Sequence, residues 1–347
     1  PDRRHDRPAS AQAAGPKLMR PSHRRALNWT VRLTVSAIVL GIIFYIVPLR
    51  EVIDAARRLP LWLWFAGFAL FLIGHAITAA KWWMLIGAGV PFGRAFRAHL
   101  AGLGANLALP GVAGGDVVRA GLVLPLCRDK GRLAVGSLAD RLIDTISLAL
   151  VALGGAWFAF HSDLRTALIV SVAVVVALVI AVLMLRHVAP VIGTLAPRVF
   201  GGGKMGALLS RLAGVLADLG REPGLLLGCL FLSVLVQCLF VAINIAFARA
   251  IGIDIADAAW FYAWSVAKII AILPISLGGL GVREASMAAL LKPFGADYGA
   301  VIAAGLIWQT VLYASGIVGI LIQSGFSARP LRGDPGANDP HPDTGRI

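Results

Sequence analysis

Two stretches of the sequence share an uncommon spacing of proline, glycine and arginine. Leu109–Arg119 reads LPGVAGGDVVR, and Leu273–Arg283 reads LPISLGGLGVR. Proline and paired glycines interrupt helices, and interrupted backbone at membrane depth persists only where it faces protein or a water-filled cavity. Two interruptions at corresponding places in two halves of a membrane protein indicate a binding site near the middle of the bilayer. The residues expected to interrupt the helices are Pro110, Gly114, Gly115, Pro274, Gly278 and Gly279.

The chemistry expected at these interruptions is the binding of an anion. A half-helix that begins inside the membrane presents free N–H groups and a partial positive charge, which suit a phosphate. Arg119 and Arg283 hold corresponding places in the two stretches, and a guanidinium can bind phosphate through two hydrogen bonds. Asp116 serves as an N-cap, as part of the site, or as both. Glu284 either favours the N-terminus of its own helix or pairs with Arg283 or Lys268.

Other polar residues in apolar surroundings complete the candidate site. A charged residue at the centre of a span costs about 2.5–3.5 kcal/mol, so each one kept there needs a reason. Lys268 has no acidic partner at helical spacing, which favours a role in binding the head group, and Asn106 precedes the first interruption. A supporting cluster can share one helix face and consists of Asp140, Arg141 and Asp144. This cluster either neutralises itself near the end of its span or supports Arg119 beside the cavity.

Composition places the chain in a membrane. Of its 347 residues 58% are hydrophobic and 14% are charged, and the mean hydropathy is +0.81. Soluble domains carry about 25% charged residues. The net charge of +14 does not indicate a nucleic-acid partner, because the basic residues lie in short stretches between apolar spans, as the positive-inside rule describes. The spacing of the cysteines and histidines predicts no metal site, and the sequence contains no nucleotide-binding loop, so we expect no cofactor.

Six segments are long and apolar enough to cross the bilayer as helices, which need about 20 residues. In chain order they are Trp29–Val47, Leu61–Ala80, Leu133–Phe160, Leu164–Leu185, Gly224–Ala248 and Tyr298–Gln323. The distribution of Lys and Arg predicts that both termini are cytoplasmic. The transmembrane domain is expected to cover residues 29–326, with one half at about 29–160 and the other at about 164–326.

The two interruptions lie in segments that cannot span the bilayer in the ordinary way. These segments cover about residues 92–125 and 255–294, and neither half of either one is long enough to cross alone. We expect two re-entrant hairpins that enter from opposite sides, because an odd number of spans separates them. The predicted fold is therefore an all-α polytopic transmembrane bundle of about six spans, with two opposed re-entrant hairpins that form an inverted repeat.

The remaining segments are expected at the membrane surface or in water. Residues 1–28 form a basic arm that we expect to be disordered in the cytoplasm and attracted to anionic lipid, and residues 327–347 form a second disordered tail. Arg50–Leu59 and Met205–Leu219 show the amphipathic pattern of interfacial helices. The neighbouring residues Lys81, Trp82 and Trp83 are expected to anchor the end of a span at the interface.

The order of several motifs resembles the transmembrane region of lysylphosphatidylglycerol synthases, a family of flippase-like membrane proteins. The motifs are Lys81–Leu85, Asn106–Gly111, Gly114–Asp116, Arg119, Asp140-Arg141, Pro274, Gly278-Gly279, Gly281-Val282 and Glu284. Lys81 stands where the family commonly has arginine, and Asp140 where it commonly has glutamate. The resemblance covers about residues 29–326. In the bifunctional members a soluble domain makes the aminoacyl lipid; no such domain follows the last span, so we expect no enzymatic activity.

The function expected from these features is movement of a lipid across a bacterial inner membrane. The lipid would be a phospholipid or a polyprenyl-phosphate-linked lipid, with its head group held between the two hairpins. One alternative is a membrane-embedded transferase acting on such lipids, with Asp116 or Glu284 as general base. Another is a non-transporting membrane partner of a lipid-modifying enzyme. The expected partners are the lipid substrate and the anionic membrane surface, and a homodimer is left open.

Overall fold

The structure is a computed structural model that describes residues 49–87, 89–108, 113–160, 191, 194–195, 204–272 and 281–327. Within these ranges all regular structure is helical, which confirms the prediction of an all-α membrane bundle. The α-helices described in full are α1 (Leu49–Arg58), α2 (Leu61–Ile86), α3 (Phe92–Ala108), α4 (Ala113–Val123), α5 (Lys130–Phe160), α6 (Lys204–Gly220), α7 (Pro223–Ala250), α8 (Asp257–Ile272), α9 (Val282–Leu291) and α10 (Tyr298–Ser327). Short 3-10 turns follow α4 at Leu124–Leu126 and α9 at Lys292–Phe294.

Four of the described helices, α2, α5, α7 and α10, are long and apolar enough to cross a membrane. They correspond to the second, third, fifth and sixth predicted spans. Large apolar side chains such as Phe65, Phe158, Phe231 and Leu321 are exposed along them, as expected for helices that face lipid. The first and fourth predicted spans lie outside the described residues, as do the basic arm and the tail, so the count of six spans stays a prediction.

The described helices fall into two series with the same order. In each series a long helix is followed by two short helices, a 3-10 turn and a second long helix. The long helices α2 and α7 have 26 and 28 residues, the short helices α3 and α8 have 17 and 16, and α4 and α9 have 11 and 10. The closing helices α5 and α10 have 31 and 30 residues. The chain therefore contains an internal repeat that places Arg119 on α4 and Arg283 on the corresponding α9.

The short helices occupy the two segments expected to form hairpins. At a rise of about 1.5 Å per residue, a helix as long as α3 extends about 26 Å and one as long as α4 about 17 Å, which is less than the roughly 30 Å hydrocarbon core. The connections at 109–112 and 273–280 lie outside the described residues, together with Pro110, Pro274, Gly278 and Gly279. The side from which each hairpin enters stays a prediction.

Each series packs one short helix against the closing helix of the other series. Helix α3 lies along α10, and α8 lies along α5. Both contacts depend on glycine: a Cβ on Gly319 would lie 2.0 Å from the carbonyl oxygen of Leu100, and a Cβ on Gly155 would lie 2.3 Å from the amide nitrogen of Tyr262. Small residues let membrane helices approach closely enough for backbone contact. These contacts between the two series place helices of both around one central space.

The expectation that Lys81, Trp82 and Trp83 anchor a span at the interface is wrong for the first two residues. Helix α2 continues to Ile86 instead of ending near Ala80, and Lys81 and Trp82 lie within the bundle. Lys81 and Trp82 are 1% and 0% exposed, and the Trp82 indole N–H donates to the Ser137 hydroxyl at 3.0 Å. Trp83 alone of the three is exposed, at 38%.

Candidate functional site

A cavity of about 370 Å³ lies among α2–α5 and α7–α10, and therefore between the two series of helices. The predicted head-group residues that line it are Asn106, Asp116, Arg119, Lys268 and Arg283. Two members of the supporting cluster, Arg141 and Asp144, also line it. Glu284 and Asp140 lie behind this lining, with exposures of 0% and 1%. The structure thus brings residues from distant parts of the chain to one space.

Arg119 lies on the side of the cavity that the first series of helices forms, and it contacts three neighbouring helices. Its Nη2 lies 2.7 Å from Asp140 Oδ2 and 3.1 Å from Asp116 Oδ1. Its Nη1 lies 3.3 Å from His99 Nδ1, and its guanidinium carbon lies 4.6 Å from the centre of the Trp82 ring. The side chain is 95% buried, and its Nε has no hydrogen-bond partner among the described residues. Arg119 is therefore held by several contacts, and within the described residues its Nε remains an unused donor.

Lys81 joins the aspartates of the supporting cluster to neighbouring helices. Its Nζ lies 3.0 Å from Asp140 Oδ1, forms an ion pair with Asp144, and donates to the Ser233 hydroxyl at 3.0 Å. The same Ser233 hydroxyl donates to Asp144. Asp140 and Asp144 thus pair across helix boundaries, with cations from α2 and, for Asp140, from α4. This arrangement corresponds to the alternative in which the cluster supports Arg119.

Asp116 links α4 to α5. Arg141 Nε donates to Asp116 Oδ2 at 2.6 Å, and the other carboxylate oxygen contacts Arg119. The helix α4 begins at Ala113, so Asp116 lies inside its first turn instead of in the N-cap position. Its carboxylate is held between two arginines beside the cavity.

The expectation that Gly114 and Gly115 interrupt the backbone is wrong, because both lie in the first turn of α4. The need for glycine at position 115 comes from helix packing. A Cβ there would lie 2.4 Å from the carbonyl oxygen of Gly102, and the Gly115 N–H donates to Asn106 Oδ1 at 2.8 Å. Asn106 therefore satisfies a backbone donor in the first turn of α4.

Arg283 lies on the side of the cavity that the second series of helices forms. Its Nη2 donates to Gln309 Oε1 at 3.0 Å and pairs with Glu284, while its guanidinium carbon lies 5.6 Å from the centre of the Trp264 ring. The other oxygen of Glu284 accepts the Gly281 N–H at 2.7 Å, which caps α9. Glu284 therefore fills two of the roles considered from the sequence, and the described residues show no pairing with Lys268. The Arg283 Nε has no partner among the described residues.

Lys268 differs from the other cations around the cavity. Its Nζ donates to Gln237 Oε1 at 2.9 Å and lies 5.5 Å from the centre of the Phe240 ring. No ion pair joins it to a carboxylate within the described ranges, whereas Lys81, Arg119, Arg141 and Arg283 each have at least one. Lys268 is thus a cation inside the bundle whose contacts are to neutral groups.

A pair of histidines in the cavity wall was not identified as a site from the sequence. His75 Nδ1 and His99 Nε2 are 3.1 Å apart, and both residues line the cavity. A single histidine in an apolar helical segment most often forms a hydrogen bond to a neighbouring helix. The available signal was that each is a polar residue inside an apolar helical segment, although spacing in the sequence does not show that they meet.

The fold and this cavity define a polytopic helical membrane protein with a charged space between two repeated units. In the described residues, no group of three His, Cys, Asp or Glu side chains comes together as metal ligands. The chain belongs to the lysylphosphatidylglycerol synthase transmembrane-region family, whose model matches residues 29–319. No curated protein sequence matches the chain.

Proposed function

We propose that this protein carries the phosphate-bearing head group of a lipid across a bacterial inner membrane, with both chain termini in the cytoplasm. The lipid is a phospholipid or a polyprenyl-phosphate-linked lipid. Membership of the family connects the chain with lipid handling in membranes. The head group would occupy the cavity while the acyl chains remain in the bilayer.

The observation that carries this proposal is that the Lys268 ammonium has no carboxylate partner among the residues that the structure describes. A charged side chain inside a membrane protein normally pairs with an opposite charge, because burial of an isolated charge is costly. Lys268 lines the cavity, and its described contacts are the Gln237 amide and the Phe240 ring. An ammonium group has three donors, so at least one stays available for a ligand oxygen. A phosphate bound in the cavity would provide the missing negative charge.

The arginines provide further donors for the same anion. Arg119 and Arg283 line the cavity from opposite series, and each has a buried Nε without a partner in the described part of the chain, which would become a donor to the anion if the side chain turned toward the cavity. Hydrogen bonds from charged donors contribute about 1.5–3 kcal/mol each. A volume of about 370 Å³ suits a head group and is too small for two acyl chains as well, in line with typical pockets of 300–1,000 Å³ that enclose drug-sized ligands.

The transferase alternative has less support from the geometry. A general base has to accept a proton from the acceptor hydroxyl, so its oxygens must be accessible to that group. The Asp116 carboxylate is held by Arg141 and Arg119, and the buried Glu284 carboxylate is held by Arg283 and the Gly281 N–H. Both carboxylates are thus engaged as counter-ions, which favours transport without chemical modification of the lipid.

The proposal can be tested with purified protein in liposomes that contain tail-labelled fluorescent phosphatidylglycerol. Movement between leaflets is followed by the fraction of label that a membrane-impermeant reductant can quench. We expect Lys268→Gln to slow this movement at least tenfold, because the loss of one charge-assisted contact weakens binding by about 1.5–3 kcal/mol. Arg221→Gln removes one cation from an exposed ion pair outside the cavity and is the matched control, expected to behave as the unmodified protein.

Two outcomes would contradict the proposal. Lys268→Gln protein that moves the lipid at the unmodified rate would show that this cation does not hold the head group. Folded, unmodified protein that moves neither phosphatidylglycerol nor lipids extracted from the native membrane would favour a partner role. Mass spectrometry of the same liposomes would identify a transferase by the appearance of a modified lipid.

A further inference from the structure

The hydrogen bond between Arg119 and His99 determines where the protons of the histidine pair lie. An arginine side chain can only donate hydrogen bonds, so His99 Nδ1, at 3.3 Å from Arg119 Nη1, must accept. A neutral His99 then carries its proton on Nε2. This N–H points to His75 Nδ1 at 3.1 Å, which must accept in turn. The order of donation therefore runs from Arg119 through His99 to His75.

This order excludes a proton from His99 Nδ1 while Arg119 keeps its position. A proton on that nitrogen would face an N–H of Arg119, and two donors cannot share a hydrogen bond. If Arg119 turned Nη1 toward a ligand, His99 Nδ1 would become free to accept a proton. The resulting imidazolium would still donate through Nε2 to His75, so the rest of the pair would keep its hydrogen bond. The hydrogen bond from Arg119 and a proton on His99 Nδ1 are thus alternatives at one atom.

The charges around the two histidines also link protonation of His99 to the binding of an anion. The charged groups around the pair are Lys81, Arg119, Arg141, Lys268, Asp116 and Asp144, from α2, α4, α5 and α8. Asp140 lies behind Arg119, and α10 contributes the phenol of Tyr313 to the same cavity. Cations predominate in this set, so they oppose an additional positive charge on the histidines. An anion in the cavity would offset that repulsion and would draw Arg119 away from His99.

We propose that His99 is a proton-binding site coupled through Arg119 to the head-group site, so that the protein moves an anionic lipid head group together with a proton. This inference rests on the proposed function, because it requires a phosphate in the cavity. Linkage makes the coupling reciprocal: head-group binding promotes proton uptake, and proton uptake promotes head-group binding. A proton gradient across the membrane would then drive net movement of the lipid toward one leaflet.

Isothermal titration calorimetry of the purified protein with dihexanoyl phosphatidylglycerol tests the coupling. Binding is measured near pH 7 in buffers with different enthalpies of ionisation, and the dependence of the observed enthalpy on the buffer gives the number of protons taken up. We expect net uptake by the unmodified protein. We expect its loss in His99→Asn, because the asparagine oxygen can accept from Arg119 in place of Nδ1 and cannot be protonated.

The matched variant is His75→Asn. Its side-chain oxygen can accept the hydrogen bond from His99 Nε2, so proton uptake should persist. Uptake that persists in His99→Asn would place the proton on another group and overturn the assignment. Binding by unmodified protein without any proton uptake would overturn the coupling and leave the proposed function intact. Failure of the lipid to bind at all would instead count against the head-group site itself, and with it against this inference.

A second measurement does not depend on either variant. Liposomes containing the protein and fluorescent phosphatidylglycerol are given a pH difference across the membrane, and the share of label in the outer leaflet is followed. We expect the label to shift toward one leaflet and to return when a protonophore removes the gradient. Lipid movement that remains symmetrical under the gradient would contradict coupling to a proton.

Discussion

Arg119 and Asp140 form an ion pair between α4 and α5, with Arg119 Nη2 and Asp140 Oδ2 2.7 Å apart and both side chains at least 95% buried. The other oxygen of Asp140 faces Lys81 at 3.0 Å. One carboxylate thus compensates two buried cations. We expect Asp140→Asn to destabilise the protein by about 3–5 kcal/mol, because removing one partner of a buried pair leaves charge uncompensated. Thermal unfolding in detergent would measure the loss.

The control for this prediction is Asp218→Asn. Asp218 pairs with Arg221 on the protein surface, where both side chains are at least 60% exposed. Ion pairs in such positions contribute little, so the unfolding temperature should hardly change. Equal and small effects of the two substitutions would show that Asp140 is not needed to hold Arg119 in place.

A carboxylate at position 237 would neutralise the charge of Lys268 from within the protein. Gln237→Glu would place a carboxylate where the amide oxygen now lies, 2.9 Å from Lys268 Nζ. The new ion pair would compete with the phosphate, so we expect phosphatidylglycerol binding to weaken about tenfold to a hundredfold, given about 1.5–3 kcal/mol for a charged hydrogen bond. Stability should be unchanged or higher. Calorimetric binding and thermal unfolding on the same preparation would separate the two effects.

Gln237→Met is the uncharged counterpart of that substitution. It has a similar shape and removes the acceptor, which leaves all Lys268 donors for the ligand. We expect binding to be retained or strengthened. If Gln237→Glu binds phosphatidylglycerol as tightly as Gln237→Met, Lys268 does not contact the phosphate.

Gly115 and Gly121 lie on the same short helix and differ in what surrounds them. A Cβ on Gly115 would lie 2.4 Å from the carbonyl oxygen of Gly102, whereas one on Gly121 would meet nothing within 4 Å. We expect Gly115→Ala to separate α3 from α4 at a cost of about 1–3 kcal/mol, with Gly115→Val worse. Lipid movement should fall in step with stability. Gly121→Ala should have no effect in the same assays, and a Gly115→Ala protein with unchanged stability would contradict the close approach.

The sequence predicted the four long described helices well, and the side-chain contacts between helices poorly. Hydropathy places α7 and α10 within a few residues of their observed ends, because the length of an apolar helix is set by the bilayer. The pairing of Lys81 with Asp144 and Ser233 joins residues separated by 63 and 152 positions. No local pattern encodes such a contact, so Lys81 was expected at the interface.

The same limit applies inside the candidate site. Arg119 and Arg283 were identified from their repeated surroundings, and both line the cavity. For Gly115 the prediction was wrong. The pair Gly114-Gly115 suggested an interrupted helix, whereas the role of Gly115 is set by its contacts with Gly102 and Asn106 on the neighbouring helix. His99 meets His75 and Arg119 because α3 packs beside α2 and α4, and no local pattern in the sequence encodes that packing. Residue types indicated the chemistry, and the helix packing determined which groups share it.

The opposed orientation predicted for the two repeats can be tested by cysteine labelling. Gly93 and Asp257 hold equivalent places at the starts of α3 and α8, and both are exposed. If the repeats are inverted, cysteines at these positions should face opposite sides of the membrane, with Gly93→Cys in the cytoplasm. The native Cys127, Cys229 and Cys238 are first replaced by alanine, and a membrane-impermeant maleimide is applied to sealed vesicles of known orientation. Asp218→Cys is the reference, expected on the same side as Gly93→Cys. Labelling of Gly93→Cys and Asp257→Cys from one side would show that the repeats are parallel, and the two-sided entry of the hairpins would have to be abandoned.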